Sequence, residues 1–177
     1  MVTVIFYLIT QISSDAYFTL LFYSPIAFVE PWRFLTAALL HAGLLHLFFN
    51  MYSLWLLGAG VEPILGKWKY LGLYIFSAFT GNFFAYLYAE RLGNSNLLLV
   101  GASGAIFGIF GALLILTKHL RGNTTGIMIV LGINLVIGLL NPQISWQAHL
   151  GGFIGGLVYT WIAVQLMVLR RRIRRKH

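Results

Sequence analysis

The chain has no cysteine. Disulfides, thiol nucleophiles and cysteine-ligated zinc are excluded, and the redox compartment cannot be read. Charge is scarce too: Asp, Glu, Lys and Arg make up 9% of 177 residues, where a soluble domain carries about 25%. Such a chain cannot coat a globule with polar surface. Only four carboxylates occur, Asp15, Glu30, Glu62 and Glu90. One aspartate cannot make an aspartyl pair, and no H-E-x-x-H run offers a zinc site. No metal or cofactor is expected.

What is abundant is apolar. The AVILMFWYC set makes up 59% of the chain and the mean hydropathy is +0.84. A helix needs about 20 apolar residues to cross the hydrocarbon core. Six runs are candidates, roughly 2–23, 44–61, 69–89, 101–117, 125–140 and 146–169. The expected fold is an all-α membrane bundle of six transmembrane helices forming one domain over 1–177. The first run is the weakest, because Gln11, Ser13, Ser14 and Asp15 interrupt it. It lacks the basic start and small-residue cleavage site of a secretory signal.

Basic residues set the direction of a multi-pass protein. Lys67, Lys69, Lys118, Arg121 and the tail residues Arg170, Arg171, Arg172, Arg174, Arg175 and Lys176 fall on one side of an alternating six-span path. Only Arg33 and Arg91 fall on the other. Both termini are therefore expected in the cytoplasm, with 170–177 as a basic tail that touches anionic lipid. The net charge of +8 is read as a topology signal, not as a nucleic-acid surface.

Spans two, four and six then run from outside to inside, with their first turns at one depth. Polar residues gather there. His46 and Asn50 stand four apart, on one helical face. GASG opens span four with Ser103, and WQAHLGG opens span six with His149 one turn below Trp146. A hydroxyl and an imidazole at matching height on parallel helices can act as nucleophile and base. No carboxylate lies beside His149 in sequence, so a dyad is expected rather than a triad.

They can touch only if the helices come close. Span four carries Gly101, Gly104, Gly108 and Gly111, and span six carries Gly151, Gly152, Gly155 and Gly156. Small residues at this spacing allow close backbone approach in lipid. The stripe reads either as plain packing or as packing that brings Ser103 to His149.

The run WRFLTAALLHAGLLHLFFNMYSLWLLGAGVEPILG, with GASGAIFG and AHLGGFIGG, resembles the rhomboid family of intramembrane serine proteases. W-R, H-x-x-x-N, G-x-S-G and A-H-x-x-G occur in family order and spacing, from about Trp32 to Gly156. The resemblance implies a six-helix serine endopeptidase that cleaves transmembrane segments of single-span membrane proteins, with small residues at the cleaved position. It implies Ser103 as nucleophile, His149 as general base, and His46, Asn50 and the Ser103 amide as oxyanion partners. Gly152 and Gly156 match the glycine pair that lets helix six approach helix four, and Gly104 and Gly108 are expected to serve helix packing too. Trp32 and Arg33 resemble the outer loop between helices one and two, and His41 and Glu62 resemble structural residues, Glu62 tying neighbouring helices. Phe107 stands where some members have Tyr against the catalytic His. The loop 141–146 and helix five correspond to the substrate entrance. A bacterial or archaeal plasma membrane is the expected location. The alternative is a catalytically silent relative that binds or routes membrane clients. It would not need both Ser103 and His149.

Overall fold

The computed structural model describes residues 2–94 and 96–174. Arg175 and Lys176 of the basic tail lie outside them. Among the described residues there are eight α-helices: α1 (Val2–Ile12), α2 (Ser14–Leu20), α3 (Arg33–Thr36), α4 (Leu44–Leu65), α5 (Lys67–Arg91), α6 (Ser103–His119), α7 (Thr125–Leu140) and α8 (Trp146–Arg174). The five later runs each become one helix. The first does not: residues 2–23 divide into α1, α2 and a two-residue strand, β1 (Phe22–Tyr23). Ser13 makes the division. Its backbone is extended, and its Oγ accepts the Ala16 N–H at 3.2 Å to open α2.

Two helices are long and apolar enough to cross a bilayer by length and composition, Leu44–Leu65 and the Trp146–Arg170 part of α8. The helices α1, α6 and α7 are apolar but shorter. Much of the outer surface is hydrocarbon. Leu45, Trp55 and Leu140 are 73%, 70% and 79% exposed. An apolar surface of that extent suits lipid, not water.

The centre of the bundle is α6, ten of whose 17 residues are buried. It packs against α4, α5 and α8 around Val61, Leu73, Ile109, Ala112 and Leu116. The α5–α6–α8 contact is made by backbone. A Cβ on Gly81 of α5 would stand 2.8 Å from the Ala148 carbonyl and 3.4 Å from the Gly104 Cα. A Cβ on Gly152 would overlap the Gly104 carbonyl, and one on Gly156 the Gly108 carbonyl. In contrast, α7 buries only Gly138.

The connection from α2 to α4 is an ordered unit. Phe22, Ala27, Phe34 and Ala37 form a second small core. Arg33 is 5% exposed and fastens the unit: its Nη1 donates to the Phe18 and Leu21 carbonyls at 2.7 Å, and its Nε to Glu30 Oε2 at 2.6 Å. A strand β2 (Leu98–Leu99) pairs antiparallel with β1, Phe22 opposite Leu99 and Tyr23 opposite Leu98. The Gly101 N–H donates to the Ala37 carbonyl at 2.9 Å. The segment before α6 is therefore held by the α2–α4 connection.

Candidate active site

Ser103 is the first residue of α6, after an N-cap at Ala102. A helix leaves its first N–H groups without intrahelical partners. The Ser103 amide thus lies at the positive end of the α6 dipole. The side chain is partly exposed.

Gly101 shapes the approach to it. Its φ is +126°, a region closed to most L-residues. A Cβ there would stand 2.8 Å from His46 Cε1 and 2.9 Å from His46 Nε2. Both the backbone and the space demand glycine. The His46 ring therefore reaches from the first turn of α4 to the start of α6. Its Nδ1 accepts the Ala42 N–H in a long bond of 3.4 Å. In the neutral ring this leaves the proton on Nε2, the nitrogen beside Gly101. One turn on, Asn50 is 6% exposed and spends one Nδ2 proton on the His46 carbonyl at 2.9 Å. Its second proton has no partner among the described residues.

His149 lies in the first turn of α8, which Ser145 starts: its Oγ accepts the Ala148 N–H at 3.2 Å. The imidazole stacks on Phe107 of α6, centroids 4.1 Å apart and planes 11° from parallel. Phe107 is one turn from Ser103. At the same height a Cβ on Gly104 would stand 3.4 Å from the Ala148 carbonyl. The residues next to Ser103 and His149 are thus in contact. Neither the Ser103 hydroxyl nor the His149 ring makes a hydrogen bond with a described residue.

His41, in the loop before α4, is 1% exposed. Its ring meets His46 edge-on at 4.9 Å, and neither of its nitrogens has a hydrogen-bond partner among the described residues. Burial, and then the charge His46 can carry, lower its pKa from 6.5 to about 4. Glu62 is exposed and forms no side-chain hydrogen bond or ion pair with a described residue, and its charge acts on Tyr70 of the neighbouring α5. No group of three His, Asp or Glu among the described residues is placed to hold a metal ion.

The structure thus puts His46, Asn50, Ser103 and His149 around the N-terminal ends of α4, α6 and α8. Sequence reading missed Gly101 and Gly81. In the sequence Gly101 reads as part of a packing stripe, although G-A-S-G at a helix start points to a turn. Gly81 stands alone in α5 and carries no pattern.

The rhomboid domain model matches residues 29–166. YdcA of Bacillus subtilis (strain 168), a rhomboid by name, is 38% identical over 141 residues, covering 77% of this chain and 69% of that one. Rhomboid protease GluP of the same bacterium is 38% identical over 138 residues, 75% of this chain but 26% of that one. RHOMBOID-like protein 7 of Arabidopsis thaliana is 36% identical over 136 residues, 73% and 42% of the two chains. The match therefore spans less than half the length of the last two. With its motifs and glycine-packed helices, the chain belongs to the rhomboid family of integral membrane proteins, a family of protease type.

Proposed function

We propose that this chain is an intramembrane serine endopeptidase with Ser103 and His149 as its reacting pair. The observation that carries the reading is the stacked His149–Phe107 pair, which brings the imidazole onto α6 one turn from Ser103. The lack of a hydroxyl–imidazole hydrogen bond among the described residues is compatible with it, because catalytic hydrogen bonds often tighten only when substrate binds.

In the proposed reaction His149 takes the proton of Ser103 Oγ as that oxygen bonds to the scissile carbonyl carbon. The carbonyl oxygen becomes an anion and accepts hydrogen bonds from the Ser103 N–H, His46 Nε2–H and the second Asn50 Nδ2–H. One such donor is worth about 10²–10³ in rate. The intermediate collapses, the C–N bond breaks, and His149 gives its proton to the leaving amine. Water, deprotonated by His149, then releases the acyl group and restores Ser103.

In this reading the whole chain is one rhomboid domain crossing the bilayer six times, with α1 and α2 together as the first crossing. The Lys and Arg distribution puts both termini in the cytoplasm of a bacterial or archaeal cell. The site then lies just under the outer leaflet, and the substrate is the transmembrane segment of a single-span protein, unwound to reach Ser103.

A fluorophosphonate probe tests the nucleophile. Labelling of Ser103, lost in His149→Ala, is the expected result. Equal labelling of wild type and Ser103→Ala would reject the assignment.

A further inference from the structure

A groove of about 440 Å³ runs between α5 and α8, away from the Ser103 site. Phe76 of α5 and Val158, Ile162 and Leu166 of α8 give it apolar walls. Ala163, 6% exposed, forms a small-residue floor. At one end stand two cations, Lys69 and Arg170, from different helices, and no carboxylate lines it. Lys69 spends one long hydrogen bond, 3.4 Å, on the Leu65 carbonyl. Arg170 is exposed and forms no ion pair with a described residue.

Length and charge together define the occupant. From Val158 to Arg170 is twelve residues of helix, about 18 Å. One leaflet of hydrocarbon is half of about 30 Å. A trough of one leaflet's depth, apolar along its length but for Tyr159 and doubly cationic at its rim, complements an anionic phospholipid. We propose that this groove seats one such lipid from the leaflet facing the α8 C-terminus, its phosphate between Lys69 and Arg170 and an acyl chain along Phe76, Ile162 and Val158. The seat joins α5 to α8 toward the end of α8 away from His149. The proposal rests on the membrane location of the chain and not on its chemistry.

Native mass spectrometry of the full chain in detergent, titrated with phosphatidylglycerol or phosphatidylcholine, tests it. Wild type should retain one phosphatidylglycerol in preference to phosphatidylcholine. Lys69→Gln with Arg170→Gln should weaken that retention about 30-fold, leaving phosphatidylcholine binding unchanged. Ile162→Trp, which fills the trough without changing charge, should also lose the lipid. A double variant that keeps the phosphatidylglycerol, or an Ile162→Trp chain that binds as wild type does, would overturn the proposal. So would displacement of the lipid by millimolar inorganic phosphate, which would mark a bare anion site. The readout contains no proteolysis, so its failure leaves the protease reading standing.

Discussion

The His149 imidazole lies flat against the Phe107 ring, 4.1 Å between centroids and 11° from parallel. Packing thus orients a histidine that has no carboxylate beside it in sequence. The phenyl ring supplies a flat wall but no hydrogen-bond acceptor, so the stack engages neither ring nitrogen.

Phe107→Ala should therefore free the imidazole without removing it. An aromatic pair is worth about 1 kcal/mol beyond its area, so kcat should fall about fivefold. Phe107→Tyr should keep the ring and stay near wild-type rate. Turnover of a transmembrane substrate checks both. An Ala variant as fast as wild type would show that the stack does not position His149.

Gly101→Ala should damage fold and rate together. It forces a side chain onto φ +126° and against His46. The strain should cost about 1–3 kcal/mol, read as a lowered melting temperature in detergent. The rate should fall further than stability alone explains, because the displaced ring carries Nε2 away from Ser103.

Gly152→Val should separate α6 from α8. A side chain there meets the Gly104 carbonyl, so the helices cannot keep their distance. Overpacking of this kind costs about 1–3 kcal/mol or more. Thermal unfolding and cleavage should both suffer. Survival of both would mean that close approach is not needed at this level.

His41 makes stability depend on pH. Its folded pKa, about 4, lies below its ordinary value of 6.5. The unfolded chain therefore takes up the proton first as pH falls. The neutral ring's contribution is complete above pH 6.5 and is lost progressively from there to about pH 4. Melting temperature over this range should fall more steeply in wild type than in His41→Phe. Parallel curves would reject the assignment.

Much of this was legible in the sequence because it is local or periodic. Helix α7 runs Thr125–Leu140, as its run rich in Ile, Val and Leu predicts. The i, i+4 spacing of His46 and Asn50 and the glycine spacing on α6 and α8 also follow from one helix at a time. What escaped depends on distant partners. Arg33 reads as an outer-side charge, yet it is buried because the Phe18 and Leu21 carbonyls converge on it. Ser13 reads as a polar blemish in a span, yet it ends one helix and caps the next. Gly81 gains its meaning only once Ala148 and Gly104 are packed against it.

The central claim is that Ser103 cleaves peptide bonds within the membrane, and one measurement addresses it most directly. Wild type and Ser103→Ala are reconstituted with a single-span substrate, and the products are mapped by mass spectrometry. A discrete cut in or beside the transmembrane segment with wild type, absent with a normally folded Ser103→Ala, is the predicted result. The same cut made by both proteins would contradict it.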